Sequence, residues 1–289
     1  MKASIIIPTY KDWPRLQICL DALAAQSLPA DQFEILVANN NRVNELPGDL
    51  RLPSNASVIW ADQPGSYAAR NAVLGKALGE VIFFTDSDCI PDRDWVRLGV
   101  EHMATLPEAD RVAGCIDLFP AGTAWRPEEI YDRLVWLKQT EYAKAGWGTT
   151  ANLIVRRTLF DAVGPFDDKL FSGGDKEWNL RANAKGSLVH YVAQVIIKHP
   201  ARGTFAELAL KRRRLTGGRH KRQANSFKRF LPPIRLLIPS VKMTAKFLQQ
   251  PDLELSTRLA LGRIDYQLRL VVFKELIKLR YFSFLSERQ

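Results

Sequence analysis

The sequence predicts an α/β fold, a largely parallel sheet flanked by helices, with a basic helical extension at its carboxyl end. Three observations carry this. Apolar runs of strand length alternate with helix-period segments through the first half of the chain. One such run, Val81 to Phe84, stops at Asp86-Ser87-Asp88, two carboxylates one residue apart. The charge is also unevenly placed: residues 201–289 hold 20 Lys/Arg against 6 Asp/Glu, a net of +14, while the whole chain of 289 residues nets only +10.

The elements follow in order. Residues 3–8 read as a buried strand closed by Pro8. Leu16, Cys19, Leu20 and Leu23 recur at helical spacing, so residues 12–26 read as a helix. Strands follow at 33–38 and 56–60. Pro64-Gly65 marks a turn, Ser66 is suited to cap a helix running to about Leu78, and Gly79 ends it. The strand into Asp86 comes next. Beyond it the pattern predicts a helix from Trp95 to about Met103, a strand at 111–116 and a helix over 128–144. A strand at 151–155, a helix of about ten residues from Asp175 and short strands at 188–191 and 195–198 complete this part. After Ala201 the pattern is helical. Leu261, Ile264, Leu268, Val271 and Val272 lie on one face of an amphipathic helix over 255–285. No Gly-x-Gly-x-x-Gly follows a predicted strand, which argues against a dinucleotide site.

Composition narrows the class. The hydrophobic share of 46% and charged share of 25% are those of a globular protein. Cys19, Cys89 and Cys115 make an odd count without Cys-x-x-Cys spacing, which argues for a reducing, cytoplasmic location. The first apolar run is too short for a signal peptide, and no stretch has the length of a membrane-spanning helix.

The chemistry-bearing residues gather at one predicted edge. Open α/β sheets bind ligands beyond the carboxyl ends of their strands. Asp86 and Asp88 stand there, and oxygen ligands suit Mg²⁺ or Mn²⁺, which bridge carboxylates to substrate phosphates. Pro8-Thr9-Tyr10 closes the first strand at that edge. The helix opening at Gly65 brings its amino end and Arg70, both attractive to a phosphate. Gly173-Gly174-Asp175-Lys176-Glu177-Trp178 sets an acid and an aromatic after a flexible turn. His199 follows a strand, where an imidazole can complete a metal shell.

The order of these pieces resembles the family 2 inverting glycosyltransferases, which have the GT-A fold. The resemblance covers about residues 3–215. It runs through Ile5-Ile6-Ile7-Pro8-Thr9-Tyr10, Ala69-Arg70-Asn71, Phe84-Thr85-Asp86-Ser87-Asp88, Thr150-Ala151-Asn152-Leu153, Val163-Gly164-Pro165-Phe166-Asp167 and Gly174-Asp175-Lys176-Glu177-Trp178. It implies a GT-A type, Rossmann-like mixed sheet. It implies a nucleotide-diphosphate sugar donor, a UDP-sugar in the first instance, and a Mn²⁺ or Mg²⁺ ion. Pro8, Thr9, Tyr10, Arg70 and Ser87 would then bind donor, with Asp86 and Asp88 on metal and diphosphate and His199 joining the metal. Asp175 would be the base that activates the acceptor hydroxyl, with Asn152, Gly174 and Trp178 on the acceptor side. Two positions depart from the family pattern. Asn39 stands where an acid usually pairs with uracil, although an amide also offers a donor and an acceptor. Gly174 replaces the acid that usually precedes the base.

From the residues alone simpler readings stay open. Asp175 is also a favourable helix cap, and Glu177 a first-turn carboxylate stabilised by the helix dipole. His199 also suits a structural role, Trp178 the core, and Arg70 a pair with a nearby acid.

The basic region extends the reading to partners. Residues 201–230 hold ten basic residues and one acid, among them Lys211-Arg212-Arg213-Arg214, Arg219, Lys221, Arg222, Lys228 and Arg229. Residues 230–239 follow, apolar, proline-broken and carrying Arg235. This pattern suits an anionic membrane surface on the cytoplasmic face, or closure over the donor diphosphate. The domain reading is therefore a glycosyltransferase domain at 1–200 and a basic helical extension at 201–289. The expected partners are a nucleotide sugar, a glycan or lipid-linked acceptor and a membrane surface. Nucleic acid is not expected, since no fold signature for it is present and aromatics are not interleaved with the basic run. The rival readings are a non-catalytic membrane scaffold of the same fold and nucleotidyl transfer, which would not need the Gly174-Asp175 motif.

Overall fold

The computed structural model describes residues 1–107, 110–170, 172–222 and 233–281. Lys228, Arg229, Phe230, Leu231, Pro232 and the predicted helix beyond Tyr281 lie outside these residues, as do the side chains of Lys221 and Arg222. The strands are β1 (Ala3–Thr9), β2 (Phe33–Asn39), β3 (Ala56–Trp60), β4 (Val81–Phe84), β5 (Ile90–Pro91), β6 (Arg111–Phe119), β7 (Leu153–Arg156) and β8 (Val189–Pro200). The helices are α1 (Trp13–Ala24), α2 (Ser66–Leu74), α3 (Trp95–Thr105), α4 (Pro127–Val135), α5 (Gln139–Lys144), α6 (Arg157–Val163), α7 (Gly174–Ala184), α8 (Phe205–Arg222), α9 (Val241–Leu248) and α10 (Leu255–Tyr281).

The chain divides into two compact units. The first comprises Met1–Phe119, Leu137–Leu170 and Gly174–Pro200. Its eight-stranded sheet has the order β3-β2-β1-β4-β7-β6-β8-β5. β1 pairs in parallel with β2 and β4, and β2 with β3. β7 runs antiparallel to β4 and β6, which makes the sheet mixed. All seven residues of β1 are buried, and helices on both faces explain why it reads as a continuous apolar run rather than an alternation. Leu16, Cys19, Leu20 and Leu23 form the buried stripe of α1, as their spacing predicts. The chain leaves β1 toward β2 on one side and returns as β4 on the other. Such a reversal opens a crevice at the carboxyl ends of the two strands.

Three local expectations give way. Ser66 is the first residue of α2 rather than its cap; Gly65 caps it at φ 127°, a conformation that disfavours any side chain. The helix predicted over 128–144 is two helices, α4 and α5, separated by Leu137 at φ 55°. Neither Gly nor Pro marks that break. The strands predicted at 188–191 and 195–198 are one strand, β8, whose register against β6 shifts between Gly114 and Cys115. A bulge of this kind sends polar residues to unexpected faces and mimics a strand end in sequence.

The second unit comprises Pro120–Trp136, Phe171–Gly173 and Ala201–Gln289. Its core gathers Tyr131, Trp136, Leu208, Phe247, Leu261, Ile264 and Leu268, with Val271 packed against it. Asp132 is buried here and accepts hydrogen bonds from the Arg202 backbone at 2.9 Å and its guanidinium at 3.1 Å, while Lys211 Nζ stands 3.7 Å away. Among the described residues no helix is long and apolar enough to cross a membrane.

Candidate active site

The carboxyl ends of β1, β2 and β4 form the edge where the sequence places the donor. Register pairs Pro8 with Ala38 and Thr9 with Asn39, so the first strand's closing residues and the predicted base contact share one edge. The Asn39 amide is oriented by its own loop. Its Oδ1 accepts from the Asn41 backbone at 3.1 Å and the Asn41 side chain at 2.7 Å, while its Nδ2 reaches Asn44 Oδ1 at 3.5 Å. Asn40, which sequence reasoning passed over, joins this loop to α2. It donates to the Ala61 and Gln63 carbonyls at 2.7 Å and accepts from the Gly65 backbone at 2.9 Å. Tyr10 is exposed beside Thr9. The hydroxyl of Thr9 is buried without a hydrogen-bond partner among the described residues.

The two carboxylates of Asp86-Ser87-Asp88 have different surroundings. Asp86 Oδ1 is bound by Nη2 of Arg70, whose side chain is only 2% exposed. A buried guanidinium needs such a counter-charge. Arg70 is therefore a paired, internal residue. Ser87 donates to Asp12 Oδ2 at 3.0 Å, and Asp12 in turn holds Arg15 at 2.7 Å. Arg15 lies 3.7 Å from Asp88 Oδ2, a cation at the site with no sequence signal beyond its place in α1.

Asp88 faces His199. Their nearest atoms, Oδ1 and Nε2, are 3.8 Å apart. His199 Nδ1 lies 2.7 Å from the Pro200 carbonyl, which can only accept, so Nδ1 carries the ring proton. With that proton on Nδ1, Nε2 is the ring atom that faces the Asp88 carboxylate and can ligate a cation. Cys89 Sγ belongs to the same cluster, with one ligand atom of each residue within 4.8 Å of the others. Burial, first, and the charges of Asp88 and Asp86 push the Cys89 thiol well above its ordinary pKa, so it stays protonated. A divalent ion fits the oxygen and imidazole donors. Two ligands about 2.1 Å from one ion stand between about 3 and 4.2 Å apart, which brackets the observed gap.

Asp175 opens α7. Its Oδ1 accepts from the Lys176 backbone at 2.8 Å and from the Tyr67 hydroxyl at 3.3 Å. The residue is partly exposed, yet protein crowds its carboxyl group. That desolvation raises its pKa above the ordinary carboxylate value, and Asp86 adds to the rise. The Lys176 N–H, the Arg70 charge and the Tyr67 hydroxyl oppose it.

The expected acceptor contacts are corrected. Trp178 is 0% exposed and stacks on Phe160 in the core at 5.2 Å, its Nε1 donating to the Gly164 carbonyl at 2.8 Å. Asn152 is also buried. Its Oδ1 accepts from Trp95 at 2.9 Å and its Nδ2 serves the Cys115 and Val195 carbonyls, so no polar atom is left for a ligand. Gly174 is buried against the ring of Tyr67. Tyr142, whose phenol feels the Asp175 charge, stacks on Trp147 at 4.0 Å, and Lys176 Nζ lies 5.3 Å from the Trp147 centroid. The family resemblance set Trp178 on the acceptor side; the structure gives that side chain to the core.

Residues 4–164 match the profile of glycosyl transferase family 2. Glycosyltransferase AglE of Haloferax volcanii is 35% identical over 223 residues, 74% of this chain and 72% of that protein. The chain belongs to glycosyl transferase family 2. Solved structures give this glycosyltransferase the GT-A fold. The mannosyltransferase PcManGT of Pyrobaculum calidifontis, solved with GDP-Man and Mn²⁺, superposes with a TM-score of 0.63 at 19% identity, covering 98% of this chain and 88% of that one. TarS 1–349 of S. aureus, solved with UDP, gives 0.54 at 18% identity, covering 98% and 93%.

Proposed function

We propose that this glycosyltransferase moves a sugar, with inversion, from a nucleoside diphosphate sugar to a hydroxyl of a glycan or lipid-linked acceptor. The observation that carries this reading is one continuous arrangement: Asp86 binds Arg70, Arg70 lies 5.8 Å from the Tyr67 ring, and Tyr67 donates to Asp175. A base thus stands at the same crevice as the donor-side carboxylates. The nucleotides in PcManGT and TarS support a nucleoside diphosphate donor.

The chemistry follows from the residues. The acceptor oxygen attacks the anomeric carbon while the bond from that carbon to the diphosphate oxygen breaks. The leaving electron pair stays on the diphosphate. The acceptor proton passes to Asp175, and Oδ2 is the oxygen for it, since both hydrogen bonds end on Oδ1. Desolvation helps this base by holding its pKa up, closer to the hydroxyl it must deprotonate. One displacement with one base inverts the configuration. Asp88 and His199 would hold a divalent cation. Such an ion, when bound, neutralises charge on the leaving diphosphate. Arg15 and the amino end of α2 supply further positive potential.

The basic unit supports a peripheral membrane role on the cytoplasmic face. Ile234, Leu237, Ile238 and Val241 are exposed within eight residues. Arg235 and Lys242 are exposed among them. Apolar side chains interleaved with cations suit the headgroup boundary of an anionic bilayer.

The test is a panel of nucleotide sugars with Mn²⁺ or Mg²⁺, read by nucleotide release, for the wild type and Asp175→Asn. Donor-dependent release that falls about 10²–10⁴-fold in the variant supports the assignment. Near-normal release in the variant moves the proton to another group.

A further inference from the structure

Gly174 is closed in by a ring. A Cβ built on it would stand 2.7–2.9 Å from three ring carbons of Tyr67, closer than real side chains approach. The backbone there needs no glycine for its φ, unlike Gly173 at φ 76°. Gly174 is thus small because Tyr67 occupies the space a side chain would take. The same Tyr67 turns its hydroxyl to Asp175 Oδ1 at 3.3 Å. Its ring is anchored by Phe166, with centroids 5.6 Å apart, and by the Arg70 guanidinium 5.8 Å away.

We propose that Tyr67 is the positioning residue of the base: its ring fills the room beside Gly174 and its hydroxyl fixes the Asp175 carboxylate, so that Oδ2 faces the acceptor. This deepens the base assignment and rests on it. The chemistry is consistent on both sides of the bond. Burial, first, and the Asp175 charge push the Tyr67 phenol above its ordinary pKa, so it remains a donor and never competes for the acceptor proton. Asp175, with Oδ1 held by Tyr67 and the Lys176 N–H, presents one oxygen rather than rotating between two. Arg70 ties this arrangement to Asp86, so the donor-side carboxylate and the base are set by neighbouring residues of one helix. An ordered base in a defined rotamer supplies the near-attack geometry that proton transfer requires.

Tyr67→Phe keeps the ring and deletes the bond. The charged and titratable groups facing Asp175 are Tyr67 and Arg70 from α2, Asp86 from the loop after β4 and Tyr142 from α5, with the backbone N–H of Lys176 from α7 beside them. Only Tyr67 changes in this variant. The expected result is a kcat lower by about tenfold or more, the scale of a hydrogen bond to a charged group, with donor KM and melting temperature near those of the wild type. The acid limb of the kcat–pH profile should move to higher pH, because the lost donor favoured the carboxylate. In an Asp175→Asn background, Tyr67→Phe should add little further loss. Gly174→Ala, which pushes on the ring, should lower kcat in the same direction. An unshifted acid limb in Tyr67→Phe, or an equal further loss in the Asp175→Asn background, overturns the proposal while leaving Asp175 as base. Near-normal turnover by Asp175→Asn alone overturns the base assignment and, with it, this inference.

Discussion

His199 Nε2 faces Asp88 Oδ1 across 3.8 Å, and the hydrogen bond of Nδ1 to the Pro200 carbonyl leaves no proton between them in the neutral ring. Two electron-rich atoms held this close favour a cation. His199→Ala and Asp88→Ala should each weaken Mn²⁺-dependent binding of the nucleoside diphosphate by at least about tenfold, since even partners outside the metal's direct ligands cost about 10–100-fold. Calorimetry with Mn²⁺ and with EDTA reads this directly. Equal UDP or GDP affinity in the two conditions for the wild type would remove the metal from the proposal.

Asn39 gives a second test. Its Oδ1 is satisfied by Asn41 and one Nδ2 hydrogen is aimed at Asn44, so the second Nδ2 hydrogen is the one left to meet a base edge. Asn39→Asp replaces a donor with an acceptor charge at a buried position. The preference among UDP-, GDP- and TDP-sugars should change by about tenfold, the value of one correct hydrogen bond to a polar edge. An unchanged donor profile would place Asn39 outside the pocket.

How much was legible in sequence follows from how local each signal is. The strand into Asp86 was legible because a buried parallel strand is a continuous apolar run and a polar motif marks its end. Asp86, Asp88 and His199 were legible through their order along the chain, whereas Arg15 was not. Trp178 and Asn152 were not, because a Trp or an Asn looks the same whether it faces a ligand or the core; only burial separates the cases. The break between α4 and α5 was also silent, since Leu137 takes a positive φ without the glycine that would announce it. Tyr67 was hidden for a different reason. It meets Asp175 across 108 residues of sequence, and its mark on the chain is the absence of a side chain at Gly174.

Lys211 makes a prediction about the basic unit. Burial, followed by the repulsion of Arg202, lowers its pKa to about 7, although Asp132 opposes this. The folded value lies below lysine's ordinary 10.5, so the unfolded chain binds more protons between these two limits. Stability should therefore rise as pH rises from about 7 toward 10.5. Lys211→Met removes the cost of the buried cation and keeps contact with Trp136, whose ring centroid lies 4.6 Å from Nζ. Asp132 retains Arg202. The variant should melt higher than the wild type at pH 7, with the gain shrinking at alkaline pH. A constant difference across that range would mean that Lys211 does not titrate there.

The exposed aliphatic side chains at 234–241 and the net charge of +14 over residues 201–289 predict lipid binding. Flotation should show association with vesicles containing phosphatidylserine, little with phosphatidylcholine alone, and release at high salt. Ile238→Asp should weaken it, since that side chain is 64% exposed and contributes little to the fold. Equal binding to neutral vesicles, or none to either, would reject the surface.

The proposed role of Asp175 ties catalysis to stability. Its folded pKa is raised above the ordinary value, chiefly by desolvation. The native state therefore holds its proton to higher pH than the unfolded chain does, and stability falls as pH rises through that interval. Below the ordinary carboxylate range both states are protonated and the cost is absent. Above the raised folded value the cost is complete, and that is the ionised state the proposed base needs. Asp175→Asn is uncharged at every pH and keeps an oxygen to accept from the Lys176 N–H and the Tyr67 hydroxyl. The variant should lose turnover yet melt at or above the wild-type temperature at pH 7, with the difference disappearing in acid. Thermal melts across pH, run beside the turnover assay, separate this from a structural role. A variant that melts well below the wild type at pH 7 would show that the carboxylate holds the amino end of α7 together, and its lost rate would then say nothing about a base.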